Sequence, residues 1–105
     1  MDEKQNSEGN IEVSDAVLVT YVEKAIGEVE GLSPSKKRKP VRITRKENAC
    51  IIEIGVDVYY GVEIPETVRT LQRLVKERIT MLAGLQVEEV NVIVSGLNIE
   101  ELIKK

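Results

Sequence analysis

The chain has 105 residues, enough for one domain with a single hydrophobic core and too few for two such domains. Its net charge of -3 argues against a nucleic-acid binder that is basic throughout, although it does not exclude a local basic patch. The sequence has no histidine, the commonest general base and metal ligand, and its single cysteine cannot form a disulfide within the chain.

The two ends of the chain are polar. Residues 1–9 contain no Val, Ile or Leu, so we expect a disordered tail there, a single domain over residues 10–97, and a second tail over 98–105. The first ten residues are unlike a signal peptide, and no apolar run approaches the roughly 18 residues of a membrane span. We therefore expect a cytoplasmic protein without direct membrane insertion.

The first elements along the chain are a short strand and a helix. Ile11–Val13 alternates and predicts a brief strand at a sheet edge. Ser14 is a favourable N-cap, and Asp15 places a carboxylate in the first turn. Apolar residues then recur at helical spacing, which predicts a helix over about residues 15–30.

A hairpin follows a basic loop. Residues 33–40 have a loop composition, with prolines at positions 34 and 40 and four consecutive cations between them. Residues 41–45 alternate, residues 46–49 are a polar connection, and residues 50–59 show the clearest alternation in the chain. One face of that strand is apolar and should face the core: Cys50, Ile52, Ile54, Val56 and Val58. The other should be at least partly wet: Ile51, Glu53, Gly55, Asp57 and Tyr59.

The second helix and the last strand are well marked. Gly61 ends the preceding strand, Pro65 suits the first helical turn, and Gly84 closes a helix of about 18–20 residues. Residues 87–95 then alternate, with Val90, Val92 and Val94 facing the core, and Gly96 should break the strand. The order is β-α-β-β-α-β, which predicts a two-layer α+β fold: a four-stranded mixed or antiparallel sheet with two helices on one face.

No candidate for catalysis stands out. Cys50 lies on the apolar face of its strand and is best interpreted as an inert core residue. Glu53 and Asp57 share a strand face about 13 Å apart, too far for the paired carboxylates of glycosidases, and are expected to be solvated. We expect a protein that is not an enzyme and that uses no metal or cofactor.

The sharpest local feature is a basic cluster. Seven of the 15 cations fall within 11 residues: Lys36, Lys37, Arg38, Lys39, Arg42, Arg45 and Lys46. Such a cluster could contact nucleic-acid phosphates or an anionic lipid surface. No aromatic residue is interleaved to stack on bases, and a solvated loop is the ordinary use of such a run.

A second candidate surface is the face of the sheet that the helices leave open. Ile51, Tyr59 and Ile93 would stand there beside Glu53 and Asp57. A mixed apolar and charged surface suits self-association or a protein partner. The alternative is that the tail after Gly96, or the first strand, covers this face.

The second half of the chain carries a family resemblance. Tyr60-Gly61, Ile64-Pro65-Glu66 and Leu71-Gln72 are followed by Gly84-Leu85, Val90-Asn91-Val92 and Gly96, as in the alkaline shock protein family of Gram-positive and related bacteria. The first half fits more loosely, through Val13-Ser14 and Glu28-Val29-Glu30-Gly31-Leu32. The sequence resembles that family over about residues 9–97.

The resemblance implies a cytoplasmic, non-enzymatic protein of the envelope or alkaline stress response. Such a protein would act as a self-associating scaffold or partner-binding module, near the membrane through an anchored partner or near enzymes of lipid metabolism. No catalytic residues come with the family. The alternative reading is anion binding through the basic cluster.

Overall fold

The computed structural model of the chain describes residues 12–99. Two helices and four strands follow one another in the order α1 (Asp15–Glu28), β1 (Leu32–Pro34), β2 (Val41–Arg45), β3 (Ala49–Tyr59), α2 (Ile64–Ala83) and β4 (Gln86–Asn98). The predicted α+β class with two helices and a four-stranded mixed sheet is confirmed. The predicted tails, residues 1–9 and most of 98–105, lie outside the described residues.

Strand β3 is the centre of the sheet. β4 runs parallel to it along its whole length, from Ala49 to Tyr59. β1 and β2 are both antiparallel to β3 and share its other edge, because β2 pairs with residues 50–54 and β1 with residues 56–58. The parallel β3–β4 pair is joined by α2, as parallel neighbours require a crossover connection.

The core lies between the sheet and the helices. α1 packs on β1 and β2, α2 packs on β4, and the two helices pack on each other. The predicted core residues of β3 are buried against both helices, with Ile52, Ile54 and Val56 fully enclosed. Leu18, Ile26, Leu71 and Ile79 fill the space from the helix side.

The local signals for the helix ends are confirmed. The Ser14 hydroxyl accepts a hydrogen bond from the Val17 amide, so it caps α1. Pro65 lies in the first turn of α2, and Gly84 caps its C-terminus in the left-handed conformation at φ 68°. The predicted helix limits agree with the structure to within about two residues.

One strand lies elsewhere than predicted. Glu12 and Val13 are not in a strand, and Ile11 lies outside the described residues. The remaining strand is instead Leu32–Pro34, a segment predicted to be mostly loop. Loop composition was misleading because a proline is tolerated at a sheet edge, and the neighbouring Leu32 is buried next to Val58.

The last strand is also longer than predicted. β4 continues through Gly96 to Asn98, and Tyr60 donates its amide hydrogen to the Asn98 carbonyl. Gly96 does not break the strand because it follows a bulge: Ser95 is the extra residue where the register shifts between Val56 and Asp57. Asn98, predicted to belong to the second tail, is therefore part of the sheet.

Candidate interaction surfaces

Among the described residues, the side chains that could carry chemistry lie apart from one another. Cys50 is buried in the core, and this burial raises the pKa of its thiol. Residues 12–99 contain no group of three or more His, Cys, Asp and Glu side chains that could hold a metal ion. A groove of about 470 Å³ runs between the helices and is an open depression whose lining includes Glu28, Glu66 and Glu77.

Asp57 is the exception to the prediction that the carboxylates of β3 are solvated. Its exposure is only 7%, whereas Glu53 is half-buried and lies beside Arg42. The backbone amide of Lys36 donates to its Oδ2 and the Ser95 hydroxyl to its Oδ1, each at 3.4 Å. The prediction was wrong for Asp57 because the basic loop folds over the open face of the sheet and covers it.

The basic loop, residues 35–39, is anchored at its first residue. The Ser35 hydroxyl oxygen accepts hydrogen bonds from the amides of Lys37 and Arg38, both at 3.2 Å. It also lies 2.6 Å from the Ser95 hydroxyl oxygen on β4. These hydrogen bonds give the amides of Lys37 and Arg38 an acceptor and hold the loop against the sheet. The cationic side chains therefore project from an ordered turn.

Two glycines make room for this arrangement. A Cβ atom on Gly55 would lie 3.1 Å from Cγ of Arg38, so the stem of Arg38 crosses directly over the glycine. A Cβ atom on Gly96 would lie 2.6 Å from Oδ1 of Asp57. Gly55 and Gly96 therefore let the loop and the buried carboxylate approach the sheet backbone closely.

The structure divides the seven cations of the basic cluster into two groups. Three form ion pairs across the fold: Arg42 with Glu53, Arg45 with Asp15 and Lys46 with Glu88. The other four lie in the basic loop and are exposed, and none forms an ion pair with another described residue: Lys36, Lys37, Arg38 and Lys39. Within residues 12–99, these four are the members of the cluster that form no ion pair.

The predicted protein interface is spread along the open face of the sheet. Ile51, Tyr59 and Ile93 are each half-buried. Ile93 is paired with Gly55, which lies four residues from Ile51 and four from Tyr59, or about 13 Å in each direction. Because the basic loop covers Gly55, the structure does not bring these three residues together as one patch.

Other apolar side chains are more exposed than these three. At the end of β4, Val94 is 39% exposed and Leu97 is 60% exposed, on the side that faces the helix layer. On the helices, Met81 and Tyr21 border a shallow apolar depression. Alternation predicted Val94 to be core. The pattern shows which face a residue occupies, but only the structure shows that α2 leaves the end of β4 uncovered.

The comparisons with known proteins identify the family of the chain. The model of the alkaline shock protein family, described as having a cell envelope-related function, matches residues 32–99. The chain belongs to this family. The matched range includes all four strands, α2 and the basic loop.

A relative from Streptococcus pyogenes serotype M6, an uncharacterized protein named Spy1614, is 30% identical over 109 residues. The alignment covers 88% of this chain and 90% of the relative. No solved structure matches the chain significantly.

Neither described helix is long and apolar enough to cross a membrane. The family membership thus gives an envelope-related function.

Proposed function

We propose that this chain is a non-enzymatic, self-associating scaffold or partner-binding module of the cell envelope stress response. It would act in the cytoplasm, near the membrane through an anchored protein partner or beside enzymes of lipid metabolism. Membership of an envelope-related family supports the setting. The chemistry of the described surface supports binding rather than catalysis.

The observation that carries this proposal is the apolar end of β4. Val94, Leu97 and Ile99 are 39%, 60% and 47% exposed, and Tyr60, which bonds to β4, is 61% exposed. We call this group the β4-end patch. Exposed apolar side chains grouped at the end of a strand are typical of an association surface.

Light scattering over a range of protein concentrations tests the proposal. We expect the wild type to associate, and Leu97→Glu to shift the association to higher concentration because it places a charge in the β4-end patch. Met81→Glu is the matched control, since it makes the same change at a residue that is 82% exposed on α2. A wild type that stays monomeric and retains no membrane protein in a pull-down contradicts the proposal.

A second candidate function is binding of an anionic partner through the basic loop. One observation favours it: the loop backbone is fixed by Ser35 and Asp57, while its four cationic side chains are exposed and have no described counterion. A fixed cluster of four cations loses less conformational freedom on binding phosphates than a flexible run does.

Salt-dependent binding distinguishes this candidate from the scaffold. The variant with Gln at positions 36, 37, 38 and 39 should lose binding to RNA, DNA or anionic vesicles at about 50 mM salt. A variant with Gln at 24, 69, 73 and 76, all cationic helix positions, is the matched control because it removes the same charge from the helices. If the wild type binds none of these probes, the candidate fails.

A further inference from the structure

The outer edge of β4 is unpaired in the part of the chain that the structure describes. β4 has 13 residues, its inner edge bonds to β3, and no described strand pairs with its other side. An unpaired edge presents a row of backbone donors and acceptors to any extended segment. β4 is the longest strand of this sheet.

The backbone bonds of β3 show which groups of β4 point outward. Gly55 donates its amide hydrogen to Pro40 and accepts from Ser35, and Tyr59 donates to Gly31, so the odd residues of β3 bond toward β1 and β2. The even residues must bond to β4. In a parallel pair they bond to the β4 neighbours of their partners, namely Glu89, Asn91 and Ile93. The groups of Val90, Val92 and Val94 therefore face outward.

One described contact fits this assignment. The side-chain amide of Gln72 on α2 donates a hydrogen bond to the Val90 carbonyl at 2.9 Å. A carbonyl that points inward would already be bonded to β3 and less accessible to this side chain. A carbonyl oxygen has two lone pairs, so this bond leaves Val90 able to accept a second one. Among the described residues, no loop or side-chain group bonds to the outward backbone groups of Val92 and Val94.

The outer edge lacks the usual protection against pairing. Edge strands of monomeric proteins usually carry a charge, a proline or a bulge in the exposed stretch. Residues 90–98 include no charged residue and no proline. The bulges of β4 lie at Glu88 and Ser95, so residues 89–94 between them form an uninterrupted ladder with β3.

We propose that the outer edge of β4 pairs antiparallel with β4 of a second copy, about a two-fold axis beside Val92. The inference rests on the proposed self-association and specifies its geometry. With Val92 opposite Val92 of the partner subunit, Val90 and Val94 of each copy also lie opposite one another. This is the register that pairs all three outward-facing residues between the bulges.

The side chains suit this register. The two-fold axis is perpendicular to the sheet, so the helices of both copies cover the same face of one continuous sheet. Val90 and Val92, both half-buried, and Val94, which is 39% exposed, lie on that face and would gain apolar neighbours across the junction. On the open face, Asn91 would lie opposite Ile93 of the other copy, and no like charges meet.

Charge substitution at Val92 tests both the edge and the register. Two lysines or two glutamates directly opposite each other repel, so Val92→Lys and Val92→Glu should each raise the dissociation constant by about tenfold. Mixing the two variants places opposite charges across the axis and should restore association. Sedimentation velocity measures this, with Met81→Lys as the control for an added charge on α2 and circular dichroism as the check on folding.

Val94→Lys is the second variant, since Val94 is already exposed and its replacement does not burden the core. Hydrogen exchange by NMR adds a direct readout: the amides of Val90, Val92 and Val94 should exchange more slowly as concentration rises. If Leu97→Glu weakens association but the Val92 variants associate as well as the wild type, this edge is not the contact, whereas the proposed function stands. If the wild type is monomeric at every concentration, both fail.

Discussion

Ser35 and Ser95 place their hydroxyl oxygens 2.6 Å apart across 60 residues of sequence. This contact joins the start of the basic loop to the bulge of β4. The Ser35 oxygen also accepts two loop amides, and Ser95 also reaches the Val56 carbonyl and Asp57. The loop, the buried carboxylate and the edge strand therefore form one polar network on the open face of the sheet.

Removing Ser95 tests this network. Ser95→Ala should lower the free energy of unfolding by about 1 kcal/mol, because a partly buried hydroxyl bond is lost, and the loop amides of Lys37 and Arg38 should exchange faster. Ser33→Ala is the matched control: the Ser33 hydroxyl is buried and has no hydrogen-bond partner among the described residues, so its loss should cost less. Urea unfolding and hydrogen exchange measure both effects. Equal costs for the two serines would contradict the network.

Gly96 should not tolerate a side chain. Gly96→Ala would place a Cβ atom 2.6 Å from Oδ1 of Asp57, so the carboxylate or the strand must shift. We expect a loss of about 1–3 kcal/mol in the free energy of unfolding, measured by urea titration.

The matched change is Gly27→Ala, at an exposed position of α1 with nothing within 4 Å of the new Cβ atom. It should stabilise the protein by up to about 1 kcal/mol because alanine is the better helix former. If Gly96→Ala is as well tolerated as Gly27→Ala, the close approach of Asp57 to β4 is wrong.

The ion pair between Glu28 and Arg78 should make stability depend on pH. Two bonds, at 2.7 and 3.2 Å, join α1 to α2. The hydrogen bond from Arg78 lowers the pKa of the Glu28 carboxyl, and the same bond raises the pKa of Arg78. Because the pKa of Glu28 is lowered in the folded state, its stabilising effect is present above the unfolded value of about 4.3 and is lost as the pH falls through the folded value.

Arg78→Gln removes this effect. The pKa of Glu28, followed by NMR, should move back toward its usual range, and the wild type should be more stable than the variant at pH 7. The stability difference should shrink as the pH falls through the lowered pKa that Glu28 has in the folded wild type, because below that value Glu28 is protonated in both proteins. Both side chains are more than a third exposed, so added salt should also reduce the difference. An unchanged difference at low pH would show that Arg78 acts through packing instead.

Cys50 should be unreactive in the folded protein. Its side chain is fully buried on the core face of β3, and burial raises the pKa of the thiol, so little thiolate forms at neutral pH. We expect a thiol reagent to modify it slowly in buffer and rapidly in urea, with a native rate that follows the unfolding equilibrium. Fast modification under native conditions would contradict its placement in the core.

The prediction from sequence worked where local chemistry and periodicity act alone. Ser14, Pro65 and Gly84 mark helix ends through capping, a preset backbone angle and a left-handed turn, and none of these depends on distant residues. The period-2 pattern of β3 likewise identified its buried face, because alternation follows from strand geometry. The family resemblance, which includes Pro65 and Gly84, was also confirmed.

The failures share a cause, since each depends on what lies across the sheet. Leu32–Pro34 is a strand because β3 offers it an edge, and Asp57 is buried because the basic loop, whose Lys36 lies 21 residues earlier, folds over it. The sequence shows seven clustered cations, but only pairing in three dimensions separates Arg42, Arg45 and Lys46 from the four in the basic loop.

The sequence by itself determined the element types, the core face of β3, the family and the basic cluster, because composition, periodicity and capping are local properties of a chain. The tertiary structure alone decided which strand is central and which cations of the cluster form ion pairs. It also decided that, within residues 12–99, the outward groups of Val90, Val92 and Val94 lie on an unpaired edge. Those properties depend on long-range backbone hydrogen bonds, whose partners are far apart in sequence and leave no local pattern.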